Sequence, residues 1–138
     1  MSLALVPLSG GIELGGDLPC RRFDPDLWFS EAPAELELAK SLCEGCPLRV
    51  ECLAGAVDRA EPWGVWGGEI FERGAVVPRK RPRGRPRKED LARDAVLRAE
   101  TEARVEARVS TVVNARSDVR IEAQIEARSG SVLAHLAA

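Results

Sequence analysis

Four cysteines are the residues of this chain whose type and spacing point most directly to chemistry. They are Cys20, Cys43, Cys46 and Cys52, separated by 22, two and five residues. The N-terminal residues lack a basic start and their apolar run is broken at Pro7, so we expect neither an export signal nor a membrane span. Thiols kept in a reducing compartment are more often metal ligands or redox groups than structural disulfides.

Such a set of thiols has three chemical interpretations. Four thiolates can hold an iron–sulfur cluster or a tetrahedral zinc ion, but a zinc ribbon has two separated C-x-x-C pairs, and the one histidine, His135, lies far along the chain. The third interpretation is a bare dithiol or disulfide set. Thiol activation usually uses a helix N-terminus; Cys43 is expected to follow a helix, whereas Cys46 beside Pro47 has the favourable position. The spacing favours a cluster and leaves zinc and a dithiol open.

Two predicted helices would bring these cysteines together. Ser30 and Pro33 favour the start of the first helix, and Gly45 favours its end. Pro47 fits the first turn of the second helix, which Pro62 ends. The apolar residues of the second helix recur at steps of three and four and form one stripe: Leu48, Cys52, Leu53, Ala56, Val57 and Ala60.

The aromatic residues are too few to fill a core over the whole length. The chain has 138 residues with three Trp, three Phe and no Tyr, and all six rings and all four cysteines lie in residues 17–74. We therefore predict a small all-α domain in this segment, with a few short helices organised around an inorganic centre that replaces apolar burial. Residues 1–16 are predicted to be a flexible arm. Residues 69–73 are left undecided between a strand and a turn.

The net charge of −2 conceals a strongly basic segment. Residues 1–78 carry 13 acidic and 6 basic residues, whereas residues 79–88, R-K-R-P-R-G-R-P-R-K, carry 7 basic and no acidic residues. Because charge and proline oppose both a core and a helix there, we predict that this basic segment is disordered and that residues 75–88 form a linker and DNA-binding segment. An acidic domain joined to such a segment indicates a nucleic-acid partner.

The centre of the basic segment resembles an AT-hook, which binds the minor groove of AT-rich DNA. A glycine lets the backbone reach the groove floor, an arginine on each side extends along the groove, and prolines keep the chain extended. The predicted DNA-binding residues are Arg81, Arg83, Gly84, Arg85, Pro86, Arg87 and Lys88. A solvated basic linker or a nuclear localisation signal is the alternative. A hook binds weakly alone and needs a second binding surface beside it.

Three stretches of residues 18–74 together resemble the WhiB-like (Wbl) family of actinobacteria. They are L-P-C-R-R-F-D-P-D-L-W-F, C-E-G-C-P-L-R-V-E-C and G-V-W-G-G. The E-P-W before the last stretch and the hook after it resemble one branch, the WblC-type regulators of intrinsic antibiotic resistance. The resemblance covers about two-fifths of the chain. It leaves the N-terminal arm and the residues after 88 unexplained.

The resemblance implies a monomeric transcriptional activator and not an enzyme. The family's ligands fall on Cys20, Cys43, Cys46 and Cys52 and hold a 4Fe–4S cluster. Its members bind the C-terminal domain, region 4, of the principal sigma factor. The hook would bind AT-rich DNA just upstream of the −35 element, and the two contacts would recruit RNA polymerase to resistance genes in the cytoplasm, at the nucleoid. The predicted sigma-binding residues are Glu61, Pro62, Trp63, Gly64, Val65, Trp66, Gly67 and Gly68.

The large rings are predicted to divide between partner and cluster. Exposed rings in a rigid turn make good anchors, so at least one of Trp63 and Trp66 is expected at the sigma contact, with the other shielding the cluster. We expect Trp66 to be indispensable to the complex and Trp63 to add a branch-specific contact. The residues predicted to pack on the cluster are Phe23, Trp28 and Phe29.

Two alternative functions and the tail remain open in the sequence. One alternative is a protein disulfide reductase that uses Cys43 and Cys46, and the other is a redox sensor in which the cluster responds to oxidation. The C-terminal extension, residues 89–138, repeats E-A-R triplets, and Val105, Val109 and Val112 fit a helical stripe. It is predicted to form one or two amphipathic helices in a weakly ordered tail, although residues 119–127 alternate like a strand. It could be a solvated helix, a second contact to polymerase, or dispensable.

Overall fold

The computed structural model describes residues 18–136, without the side chains of residues 132, 133, 135 and 136. The predicted arm at residues 1–16 and the side chain of His135 therefore lie outside the described part. Short helices come first in the chain, a small sheet follows, and one long helix comes last. No described helix is both long and apolar enough to cross a membrane.

The short helices begin where prolines fix the backbone. Helix α1 (Pro19–Arg22), a 3-10 helix (Pro25–Phe29) and helix α2 (Pro33–Leu42) each have proline in the first turn. A second 3-10 helix (Cys43–Gly45) extends α2, and helix α3 (Arg49–Arg59) ends at Ala60, whose backbone is left-handed with φ 49°. The two predicted helices are confirmed, although α3 begins two residues after Pro47.

The prediction of an all-α domain is wrong, because a three-stranded antiparallel sheet follows α3. Its strands are β1 (Trp63–Trp66), β2 (Glu69–Glu72) and β3 (Ala75–Val77), in the order β1-β2-β3. Val65 pairs with Ile70, and Phe71 pairs with Val76. The stretch left undecided in the sequence is thus the central strand.

Two tight turns explain why this stretch forms hairpins. Gly67 and Gly68 join β1 to β2 with φ 57° and 82°, and Arg73 and Gly74 join β2 to β3 with φ 53° and 81°. Positive φ at both central residues is typical of the type I′ turn, whose twist matches that of the paired strands. The Gly-Gly pair flanked by apolar residues is therefore a hairpin signal, and the prediction of a rigid turn did not include the strands that it joins.

The sheet separates two apolar clusters. On one face Ile70 packs with Trp28, Leu36, Ala39, Cys43, Val65 and Val77. On the other face Phe71 packs with Leu53, Ala56 and Val105, and Trp66, Val76 and Val109 lie partly buried against them. Adjacent residues of a strand point to opposite faces, so Ile70 and Phe71 connect the two clusters through one peptide bond.

The C-terminal extension forms one helix, α4 (Lys88–Leu136), of 49 residues. A single helix is one of the two predicted forms, and the strand-like alternation at 119–127 does not lead to a strand. The predicted stripe packs on α3 and β3 with Val105 and Val112 buried. The first part of this helix is consequently part of the domain's core, which the prediction of a weakly ordered tail did not include.

Candidate functional site

The four cysteines lie on the elements that enclose one end of the domain. Cys20 is in α1, Cys43 opens the second 3-10 helix, Cys46 follows that helix and Cys52 is in α3. All four are free thiols; Cys43 is buried and Cys20 is exposed. The charges of Cys43, Cys46 and Cys20 each raise the pKa of Cys52. The four sulfurs are therefore close enough to act on one another electrostatically.

Burial raises the pKa of both Cys43 and Cys52, and N–H donors oppose this effect. Trp28 Nε1 donates to Cys43 Sγ at 3.3 Å. The backbone N–H groups of Gly68 and Gly67 act on Cys43 and Cys52 respectively and oppose the rise in the pKa of each thiol. Donors directed at sulfur stabilise the thiolate, which is the form that binds metal.

The four thiols are a ligand set that more than one inorganic group accepts. Within residues 18–136, no three His, Cys, Asp or Glu side chains are grouped as ligands of a single metal ion. A zinc ion with Zn–S bonds of about 2.3 Å draws its four sulfurs into contact. A cluster separates its thiolates more widely, because each sulfur binds a different iron. Four thiols are ligands that both groups accept, so the expectation of a cluster rests on the spacing of the cysteines in the sequence.

The Gly67–Gly68 turn beside the cysteines packs tightly against α3. A Cβ atom at Gly67 would lie 2.4 Å from the carbonyl oxygen of Arg49 and 2.6 Å from Cβ of Leu53. Arg49 Nε donates to the carbonyl oxygen of Gly67 at 3.3 Å. Only glycine can combine this close approach with a φ of 57°. The turn predicted to contact sigma and the cysteine site therefore form one packed unit.

The two tryptophans of β1 have different environments. Trp63 is 63% exposed. Trp66 is half-buried: its ring meets Phe29 edge-on at 5.8 Å, Arg59 lies over it, and its Nε1 donates to the carbonyl oxygen of Trp63 at 3.0 Å. The ring that contacts a cysteine sulfur is Trp28. Trp63 is thus available to a partner, while Trp66 supports the surface beneath it.

The other predicted site residues divide between core and surface. Val65, Gly64, Gly67 and Gly68 are buried, whereas Pro62 is exposed and Glu61 pairs with Arg59. Of the residues predicted to pack on the cluster, Trp28 is buried, while Phe23 and Phe29 are each 47% exposed. The surface part of the predicted sigma-binding set is therefore narrow and is centred on Trp63.

The basic segment, residues 79–87, forms neither helix nor strand. Arg83 is almost fully exposed and makes a long ion pair, 4.0 Å, with the exposed Glu31. Gly84 has φ 128° and no atom near the position of a Cβ. Arg81 differs, because its Nε lies 2.7 Å from Oδ2 of the buried Asp94 in α4. The segment is open at the predicted hook and anchored before it.

Sequence reasoning missed the polar contacts through which α4 joins the domain. Glu69 in β2 is 1% exposed and accepts two hydrogen bonds of 3.0 Å from Arg104 and one of 3.4 Å from Arg108. Arg116 pairs with Glu51 of α3. The E-A-R triplets contain Arg104 and Arg108 at a helical spacing of four, which places both on one face. Only the partner, Glu69, could not be identified from the sequence.

Comparisons with known proteins agree with this arrangement. A family profile described as "Transcription factor WhiB" matches residues 16–75. "Transcriptional regulator WhiB7" of Mycolicibacterium smegmatis is 67% identical over 65 residues, which are 47% of this chain and 63% of that relative. "Probable transcriptional regulator WhiB7" of Mycobacterium tuberculosis is 58% identical over 82 residues, 59% of this chain and 89% of that relative.

A relative from another branch is more distant. "Transcriptional regulator WhiB2" of Mycobacterium tuberculosis is 41% identical over 49 residues, which are 36% of this chain and 55% of that relative. The match to the WhiB7 relatives is both longer and closer. The family profile covers the residues that carry the four free thiols and the Gly-Gly hairpin. Together with this degree of identity, it shows that the chain belongs to the WhiB-like family of transcription factors, in the WhiB7 (WblC) branch.

Proposed function

We propose that this protein is a transcriptional activator in which one domain binds a 4Fe–4S cluster and the principal sigma factor, while the basic segment binds promoter DNA. The observation that supports this most directly is the hairpin turn at Gly67 and Gly68, which packs against α3 beside Cys52 and influences the pKa of Cys43 and Cys52. The turn cannot move without disturbing the thiols. We infer that the state of the metal centre governs the shape of the partner surface.

The cysteines would hold the cluster, which supplies four iron–sulfur bonds that fasten α1, α3 and the end of α2 together. The chain's own contribution is a set of donors and an apolar wall. Trp28 and the two turn glycines would stabilise negative charge on sulfur. The apolar cluster that contains Trp28 and Ile70 covers Cys43. Such outer contacts orient ligands and limit access of water. Redox sensing remains compatible with this role.

A disulfide reductase has less support. The attacking thiol of such an enzyme needs a lowered pKa, whereas burial raises the pKa of Cys43. The Trp28 hydrogen bond opposes that rise without reversing it. Cys46, the other thiol of the pair, lies before the N-cap Leu48 of α3 and so lacks the position at a helix N-terminus that Pro47 suggested. We infer that the C-x-x-C pair serves as metal ligands and not as a catalytic dithiol.

Replacing Cys52 by serine should remove the cluster and the sigma contact together. Because the four ligands come from separate elements, loss of Cys52 leaves an incomplete ligand set and removes the bond between α3 and the cluster. Anaerobic purification with analysis of iron and sulfide, followed by co-elution with sigma region 4, measures both effects. Val50→Ala, a 38% exposed position on the same helix, is the matched control and should keep both properties. A Cys20→Ser variant with full cluster occupancy would contradict the ligand set.

Truncating Trp63 should weaken sigma binding without affecting the fold. Its ring is exposed beside a rigid turn, and exposed aromatic anchors contribute about 2 kcal/mol or more, or about 30-fold in affinity. Titration of labelled sigma region 4 with the Trp63→Ala variant measures this loss. Leu38→Ala, a 49% exposed apolar residue on α2, should bind as the wild type does. Equal affinity of the Trp63 variant would place the sigma contact elsewhere.

Replacing Arg83 and Arg85 together by alanine should abolish binding to AT-rich DNA and leave the sigma complex intact. Each arginine that no longer contacts the groove lowers the slope of log affinity against log salt by about 0.9. Binding to an AT-rich duplex at several salt concentrations, together with sigma co-elution, separates the two contacts. Arg120→Ala with Arg128→Ala removes the same charge from the far part of α4 and serves as the control. Loss of the sigma complex in the hook variant would refute separate binding surfaces.

A further inference from the structure

Three contacts hold the start of the basic segment, before the central hook residues 83–86. Lys40 of α2 donates to the carbonyl oxygen of Pro78 at 3.1 Å. Arg79 Nε donates to Oδ1 of Asp94 at 3.0 Å, and Arg81 Nε lies 2.7 Å from Oδ2. Asp94 is 5% exposed and lies in the second turn of α4. One buried carboxylate thus binds the two arginines that precede the hook.

The charges at this site favour the paired arrangement. Burial raises the pKa of Asp94, but the hydrogen bond from Arg79 and the charges of Arg79 and Arg81 lower it by more, so the pKa lies below its ordinary value. The carboxylate is therefore ionised at neutral pH. Arg81 is turned towards α4, while Arg83 is 99% exposed two residues later.

We propose that Asp94 is a positioning residue, which fixes Arg79 and Arg81 on α4 and thereby sets where Arg83, Arg85 and Arg87 meet the DNA. The proposal rests on the proposed DNA-binding function and deepens it. It also changes the predicted role of Arg81, which was assigned to the DNA contact: an ion pair with Asp94 holds the Nε side of its guanidinium. The C-terminal extension is thereby the scaffold of the hook.

The reach of the chain shows what the contact changes. An extended chain spans about 3.3 Å per residue, so Arg83 could lie up to about 20 Å from the end of β3 if the segment were free. Fixing Arg81 leaves about 7 Å. At about 3.4 Å per base pair, the accessible range falls from about six base pairs to about two. The segment then loses less conformational freedom when it binds. The distance between the AT-rich tract and the −35 element that allows both contacts is restricted as well.

The main test uses Asp94→Asn in the full chain, bound together with sigma region 4 to promoter duplexes. The AT-rich tract is placed at its natural distance from the −35 element or moved by three base pairs. The wild type should lose more than about tenfold in affinity on the moved tract, whereas the variant should lose less than about threefold, because its free segment reaches further. Asp90→Asn, in the first turn of α4, makes the same charge change and should behave as the wild type does.

Limited digestion by trypsin tests the contact without DNA. Trypsin does not cut before proline, so Arg81–Pro82 resists it, while the bonds after Arg79 and Lys80 are cleavable. The Arg83–Gly84 bond serves as an internal reference because it is exposed in either case. Asp94→Asn should speed cleavage after Arg79 and Lys80 several-fold relative to cleavage after Arg83, and Asp90→Asn should not.

A third comparison uses affinity for the AT-rich duplex alone. Arg85→Gln should lower it at least about tenfold, and Arg81→Gln no more than about threefold, since Arg81 faces α4. Equal losses of affinity in the Arg81→Gln and Arg85→Gln variants would overturn the proposal. So would an unchanged trypsin ratio in Asp94→Asn, or faster cleavage of that variant with the wild-type dependence of affinity on tract position. If the wild-type chain does not bind AT-rich DNA, the proposed function fails, and the trypsin ratio alone then shows whether the Asp94 contact exists.

Discussion

Replacing Gly67 by alanine is expected to unfold the cysteine site. The new Cβ would lie 2.4 Å from the carbonyl oxygen of Arg49 and 2.7 Å from the backbone nitrogen of Leu53, and backbone atoms of α3 cannot move aside as a side chain can. A left-handed φ adds about 1–3 kcal/mol of strain and overpacking about 1–3 kcal/mol more. Since a domain is stable by only about 5–15 kcal/mol, the loss is severe. Denaturant unfolding and iron content measure it.

The matched control for this substitution is Gly45→Ala. A Cβ at Gly45 meets no atom within 4 Å, and the residue lies at the end of the second 3-10 helix between two of the cysteines. This variant should keep its iron and its stability within about 0.5 kcal/mol. If Gly67→Ala keeps full iron and the wild-type unfolding midpoint, the turn is not wedged as described.

Deleting residues 89–138 is expected to have an effect of similar size. Val105 and Val112 of α4 are buried against the domain, and burial of each valine contributes about 1.5–3 kcal/mol. The deletion also exposes Phe71 and Leu53 and removes the arginine partners of Glu69. We therefore expect a loss of about 3–6 kcal/mol, measured as a lower unfolding midpoint and as aggregation of the truncated chain.

A shorter deletion separates the docked part of α4 from the rest. A chain that ends at Arg116 keeps Val105, Val112 and the pair between Arg116 and Glu51. It should unfold at the wild-type midpoint. If both truncations are equally stable, α4 contributes nothing to the core and is a dispensable tail.

Local signals predicted the elements that hold Cys43, Cys46 and Cys52, because those signals are strong, whereas Cys20 was expected in a loop and lies in the short helix α1. Pro33 and Gly45 delimit α2 and its 3-10 extension, and the spacing of Cys43 and Cys46 follows from the bend between two helices. The convergence of the thiols is supported by the electrostatic effects that they exert on one another. Whether they bind a cluster remains a prediction that the cysteine variants test.

The sheet was missed for a physical reason that could have been recognised. Gly67 and Gly68 were interpreted as a rigid turn that presents tryptophans, without paired strands on either side, whereas positive φ at two successive glycines closes a hairpin. Because the strands have only three or four residues each, their alternation is too brief to be a signal alone. The pairing depends on Phe71 and Ile70, whose contacts are distant in sequence.

The role of α4 depended on long-range contacts that no local pattern contains. The valine stripe correctly predicted a helix with one apolar side. The surface that covers this stripe includes Leu53 and Phe71 from two other elements, and the buried Glu69 lies 35 residues before its partner Arg104. Asp94 was equally invisible as the anchor of Arg79 and Arg81. Such pairings appear only when the fold is assembled.

The length of α4 also affects how the molecule diffuses. At about 1.5 Å per residue, its 49 residues extend about 74 Å. A compact chain of 138 residues has a radius of gyration of only about 14 Å. The rod increases hydrodynamic drag without adding mass, so the monomer of 15.0 kDa migrates in gel filtration as a larger particle. The protein is therefore expected to elute at the volume of a compact protein of larger mass, such as a dimer. Light scattering is needed to measure the molecular mass of this protein and its complexes.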